Sequence, residues 1–224
     1  SWHSYPSVYA LGHRAVTDLF LDPVRVEEKL DGSQFSWGAF VDTDGERVLK
    51  ARSKGAQLNI IAPEKMFTKA IATVQGLESI LHVGWTYRSE YLAKPRHNAL
   101  AYDRIPKQHL ILFDINTGNE EYLPYEAMVA EGERLGLEAV PCLYTGMVYD
   151  PQMLRYMLDT TSILGGQKIE GVVVKNFLRF GVDKKVLMGK FVSEAYKEVH
   201  DAAWKESNPH QGDIIAQLIM ALRT

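Results

Sequence analysis

The sequence predicts an α+β fold, with antiparallel sheets flanked by helices, and three observations predict it. The stretch QFSWGAFV over 34–41 sets Phe35, Trp37, Ala39 and Val41 against Gln34, Ser36 and Gly38, the period of a half-buried strand. Asp44-Gly45 then joins it to ERVLKARS over 46–53, a hairpin signature. Helical spacing replaces alternation in PEKMFTKAIATVQGLESIL, which opens on Pro63, a residue suited to a helix start.

Each element follows in order. PVRVEEKL (23–30), QFSWGAFV and ERVLKARS form an expected three-strand antiparallel meander, and residues 63–81 form the first long helix, packed on the sheet. HVGWTYRSEYL and HLILFDIN are further strands. PYEAMVAEGERLGL is a helix stopped at Gly136, and residues 150–158 form another. IEGVVVKN and KKVLMGKFV return to strands. The tail holds two helical stretches, SEAYKEVHDAAWKE and GDIIAQLIMALRT, separated at Asn208-Pro209 because proline disfavours helix in the residue before it. The expected domains are therefore 1–192, a sheet domain, and 193–224, a helical C-terminal extension.

Composition excludes several classes. At 224 residues with 46% apolar and 24% charged residues, the chain can bury a core without staples. Cys142 is the only cysteine, which excludes a disulfide framework and a thiolate zinc site and fits a reducing compartment. Seven scattered histidines show no ligand spacing. No apolar run approaches a membrane span, and the first residues lack a signal-peptide pattern, so the chain reads as soluble and cytoplasmic. A net charge of −3 argues against binding nucleic acid through bulk charge while leaving room for a local basic cleft.

The chemistry centres on EEKLDGS, residues 27–33, which sets Lys29 among three acids. By itself that is the pattern of an exposed ion pair. Four further stretches change its meaning by following in order: Arg52-Ser53-Lys54-Gly55, Glu90 in YRSEYLAKP, Phe113-Asp114 in LILFDI, and the C-terminal strand pair carrying Glu170-Gly171-Val172-Val173-Val174-Lys175 and Lys190 in MGKFV. A lone K-x-D-G recurs by chance, whereas five ordered motifs on expected strands are specific.

This order resembles the covalent nucleotidyltransferases, the superfamily of ATP-dependent DNA and RNA ligases and mRNA capping enzymes. Within it, EKLDGS, the Glu-Tyr-Leu strand, the aromatic-Asp-Ile strand and the lysine strand leading into AYKEV look most like the RNA ligase 2 family, over roughly residues 5–200. The resemblance implies an ATP-grasp-like nucleotidyltransferase domain and an ATP-dependent RNA ligase working with Mg²⁺ or Mn²⁺. Lys29 would form a lysyl-AMP intermediate, with Asp31 orienting it. Arg52 would contact phosphate or ribose, Glu90 the ribose hydroxyls, and Phe113 would stack on adenine. Glu170 and Asp31 would bind the metal, and Lys175 and Lys190 would touch the α-phosphate. Glu28 would read the adenine edge, a role for which Glu27 competes.

The demand on Lys29 stands apart from any resemblance. A nucleophilic lysine must be neutral, and from a reference pKa of about 10.4 that costs about 4–5 kcal/mol near pH 7. Its neighbouring acids add to the cost, so burial, a divalent cation or nearby lysines must oppose them. Two details strain the pattern. Glu170 and Lys175, five apart, fall on opposite faces of a regular strand unless the backbone bends, with Gly171 the expected place. Met188 stands where the family commonly has a second lysine, which weakens that phosphate contact or shifts it to Lys184 or Lys185.

The implied partner is RNA bearing a 5′-phosphate and a 3′-hydroxyl, held as a nicked duplex by a monomer. Larger relatives carry a further C-terminal domain, so the chain is expected to be either a minimal ligase or an excised catalytic domain. The alternatives are a DNA ligase, a GTP-using capping enzyme, or a catalytically silent nucleic-acid-binding module.

Overall fold

The computed structural model describes residues 2–193; the two expected tail helices and the AYKEV stretch lie outside the described residues. In chain order the strands are β1 (Tyr9–Ala10), β2 (Val24–Lys29), β3 (Ser33–Val41), β4 (Arg47–Ser53), β5 (Thr86–Tyr91), β6 (Leu110–Gly118), β7 (Glu121–Tyr122), β8 (Glu138–Ala139), β9 (Cys142–Gly146), β10 (Gly171–Phe180) and β11 (Val186–Val192). The helices are α1 (Thr68–Leu77), α2 (Tyr125–Leu135) and α3 (Gln152–Met157). Two compact units divide these residues, 2–5 with 31–140 and 6–30 with 141–193, inside the single sheet domain expected over 1–192.

In the first unit the sheet runs β4-β3-β5-β6-β7, with β8 alongside β6. Alternation along β3 sends Phe35, Trp37 and Ala39 into a core with Ala70, Ile71 and Val74 of α1 and Met128 and Leu135 of α2. Trp37 stacks on Tyr87 with ring centroids 4.5 Å apart. Burying an aromatic or aliphatic side chain of this kind contributes about 1.5–3 kcal/mol, which fixes which face of β3 points inward and leaves the other for polar groups. The helix expected over 63–81 is broken into α1 and two short 3₁₀ turns, Lys65–Phe67 and Glu78–Ile80. Gly136 ends α2 in the left-handed region at φ 72°, and its N–H returns to Gly132 and Glu133 carbonyls.

In the second unit the sheet runs β1-β11-β10-β2-β9. Val24, Val26, Val172, Val174 and Leu187 point into its core with Leu19 and Leu154. This corrects the expected meander: β2 pairs with β10 and β9 rather than with β3, which lies between β4 and β5. The Leu30-Asp31-Gly32 link separates the two strands instead of closing a hairpin. Gly32 is needed there because a Cβ would stand 2.6 Å from the Tyr91 carbonyl oxygen and 2.9 Å from Cγ of Glu90.

Candidate active site

Register alone gathers three lysines in the second unit. Gly171 is the Cα partner of Lys29, Val173 partners both Glu27 and Lys190, and Lys175 partners both Arg25 and Met188. Alternate residues of a strand share a face and paired residues lie on the same face, so Lys29, Lys175, Lys190, Arg25, Glu27 and Met188 lie on one side of the sheet. The apolar core takes the other side.

Ion pairs order this face. Lys29 Nζ donates to Glu170 Oε1 at 2.8 Å, with the lysine side chain 26% exposed and the glutamate 2%. Glu170 precedes β10 rather than lying in it, so the strict alternation that would oppose it to Lys175 does not apply. Gly171 makes the close approach possible: a Cβ there would meet the Phe191 carbonyl oxygen at 2.4 Å. Lys175 Nζ lies 2.5 Å from Glu27 Oε1, and Arg25 Nε lies 2.6 Å from Glu27 Oε2. Lys184 and Lys185 occupy the turn between β10 and β11, five and six residues from Lys190, about 15–20 Å along an extended chain.

Glu28 faces away from Lys29. It shares the side of Val24 and Val26, and its Oε2 accepts the Ile163 N–H at 3.1 Å. Burial pushes its carboxyl above the usual range, while the Ser162 hydroxyl and the Ile163 N–H draw it down.

The remaining candidates lie in the first unit. Asp31 is buried, and its Oδ2 accepts the Ala99 and Leu100 N–H groups, both at 2.8 Å, while its own N–H donates to the Tyr102 hydroxyl at 2.9 Å. This carboxylate organises the loop between β5 and β6. Arg52 partners Ser36, which also partners Arg88, so Arg52, Arg88 and Glu90 share the face of the sheet opposite the core. The Arg52 guanidinium lies 6.0 Å from the centroid of the Trp2 ring.

Phe113 owes its orientation to a bulge. Leu112 partners Ser89 and Asp114 partners Arg88, so Phe113 is the extra residue, and such an insertion re-aims a side chain. Leu110, Leu112 and Ile115 enter the core, whereas the Phe113 ring packs edge-on against Tyr5 at 4.9 Å. The adjacent strand β5 carries a buried polar group that the sequence reading missed. Arg88 donates through Nε to Asn116 Oδ1 at 2.9 Å and through Nη1 to Ser36 Oγ at 3.1 Å and the His3 carbonyl at 2.9 Å. Burial pulls its guanidinium down to about 10. Both Arg88 and Arg25 lie on the polar faces of their sheets, where an arginine reads from sequence as an ordinary solvated charge, so nothing in β5 or β2 taken alone marks them as buried.

Among the described residues, no group of three or more His, Cys, Asp and Glu could cage a metal ion. Mg²⁺ needs no such cage, because it commonly takes one or two carboxylates together with waters and substrate phosphates. Glu170, a nearly buried carboxylate beside the Lys29 ammonium, fits that demand. Asp31 fits it less well, with one oxygen already holding two backbone N–H groups. No described helix is long and apolar enough to cross a membrane.

Comparison with known structures identifies the fold. A Naegleria gruberi RNA ligase with PPi superposes with a TM-score of 0.63 at 19% identity, over 90% of this chain and 58% of that one. A mutant of that ligase with AMP and Mn gives 0.62 at 18%, over 87% and 57%. An Aquifex aeolicus candidate ATP-dependent DNA ligase gives 0.61 at 18%, over 98% and 58%. The chain thus spans somewhat under three fifths of the length of these relatives, and it has the α+β architecture of nucleotidyltransferase-type ligases. A search of curated protein sequences found no match. The RNA ligase family model matches residues 22–192, most of the chain, and the chain belongs to that family.

Proposed function

We propose that the protein is an ATP-dependent RNA ligase that works through a lysyl-AMP intermediate on Lys29. The observation that carries this reading is the second unit's sheet face, where Lys29, held by Glu170, shares a surface with Lys175 and Lys190. In the first step the deprotonated Lys29 Nζ attacks the α-phosphorus of ATP. An N–P bond forms, the bond to the pyrophosphate oxygen breaks, and the amine sheds a proton. The AMP then passes to an RNA 5′-phosphate, and a 3′-hydroxyl displaces it.

Lys175 and Lys190 are the cations for the charge that develops on the α-phosphoryl group, a task in which preorganised electrostatics contributes most. Glu170 would hold Mg²⁺ or Mn²⁺, which would supply Lewis-acid charge at the phosphates. Glu170 also fixes the Lys29 amine in position. In the first unit, Arg52 is the phosphate or ribose contact, Glu90 the ribose contact, and Phe113 the stacking surface for adenine. Asp31 orients the backbone that follows the nucleophile. Glu28, proposed from sequence as the adenine reader, faces away from Lys29 and accepts the Ile163 N–H instead. A soluble, cytoplasmic monomer acting on nicked duplex RNA completes the proposal, with phosphate contacts that weaken as salt rises.

The test is the intact mass of the protein after incubation with Mg²⁺ and either ATP or GTP, beside Lys29→Ala. We expect an AMP adduct from ATP that is absent in the variant. A GMP adduct instead would reassign the protein to the capping chemistry. No adduct from either nucleotide, in protein not adenylated at the outset, would leave a silent binding module.

A further inference from the structure

The buried ion-pair trio on the Lys29 face has a directional geometry. Lys175 lies directly across from Arg25, yet its ammonium sits on Glu27, two residues further along β2 toward Lys29. Both side chains of that pair are 1% exposed. Arg25 grips the other oxygen of Glu27, and its own guanidinium is packed 4.8 Å from the centroid of the Phe177 ring. A carboxylate held from one side by a stacked arginine is a fixed anchor. A lysine is a flexible four-carbon stem that takes its direction from whatever holds its tip.

We propose that Glu27 is the positioning residue for Lys175: anchored by Arg25, its carboxylate draws the Lys175 ammonium along β2 to the Lys29 end of the sheet. The proposal rests on the reading of Lys29 as the adenylated nucleophile. Glu27 is the carboxylate that both buried cations touch, so removing its charge takes away the anchor that sets where the Lys175 ammonium sits. Its neighbour Glu28, on the opposite face, could not substitute for it.

The experiment measures single-turnover lysyl-AMP formation with Mg²⁺ over a range of ATP concentrations, alongside melting temperature. The proteins are wild type, Glu27→Gln, Glu27→Asp, Lys175→Met and the double variant Glu27→Gln/Lys175→Met. Misplacing a catalytic group by about 1 Å can cost on the order of 100-fold. We therefore expect Glu27→Gln to slow the step by about 10- to 100-fold at saturating ATP, with the half-saturating concentration moving less than about threefold. Glu27→Asp, which keeps the charge but draws it back by one methylene, should fall between that variant and wild type. The double variant should be no slower than Lys175→Met.

A wild-type rate in folded Glu27→Gln overturns the proposal, as does a double variant that loses the product of the two single effects. If Glu27→Gln does not fold, Glu27→Asp carries the test, and a wild-type rate there overturns it equally. A wild-type protein that forms no adduct would remove the functional reading and this inference together, whereas normal wild-type adenylation with an insensitive Glu27 would remove the inference alone.

Discussion

Two adjacent acids on β2 do opposite work because a strand alternates. Glu27 lies among cations on the Lys29 face, while Glu28 is turned into the side of the valine core and holds the Ile163 N–H. Burial raises the Glu28 carboxyl above its ordinary value of 4.5, so the folded protein favours the protonated acid more than the unfolded chain does. The sign follows: any stability from that preference is present below the ordinary value and is lost as pH rises through the raised one. Glu28→Gln keeps an acceptor for Ile163 without the charge. Denaturant titrations from pH 4 to 7 should show wild-type stability declining relative to Glu28→Gln as pH rises. Parallel curves would mean that Glu28 is solvated in the folded state.

At the scale of elements, Gly171 tests how tightly the β10–β11 ladder is built. A Cβ would stand 2.4 Å from the Phe191 carbonyl and 2.8 Å from Cα of Val192, both backbone atoms that cannot swing aside. Gly171→Ala should cost about 1–3 kcal/mol in a denaturant melt, the usual range for overpacking, and should slow adenylation because Glu170 moves with it. Strands such as β3 were legible because one face is buried and the alternation is clean. β9 was not: CLYTG has no fully buried residue, so it lacks the apolar rhythm that marks a strand, and its place is set by pairing with β2. The partner of β2 was misread for a related reason. Sequence proximity suggests a hairpin, but the Leu30-Asp31-Gly32 link leaves β2 to pair with residues beyond 140. The motif lysines were legible because their chemistry is written in short patterns. The Phe113 bulge, Arg88 and Arg25 were not, because each depends on a cross-strand neighbour distant in sequence.

For the whole molecule, the division into units decides what a truncation would do. The first unit takes nearly all its residues from one continuous stretch, 31–140, while the second needs both 6–30 and 141–193. A chain ending at residue 168 lacks β10 and β11, the central partner of β2 and the strand next to it. Hydrogen exchange on that fragment should find the amides of β2 unprotected and those of β3, β5 and β6 still protected; uniform loss of protection would show that the units do not fold separately. The linear order of the motifs was readable in the sequence, whereas the assignment of their residues to two separate units was not. The same connectivity has a consequence for synthesis on the ribosome. Lys29 waits for its partner Gly171, 142 residues later. At about 5–20 residues per second that is about 7–28 s during which the hydrophobic side and unpaired edge of β2 are exposed in the nascent chain. Glu27, Glu28 and Lys29 place three charges within that waiting segment, and charges of this kind keep an unpaired strand from joining a stranger.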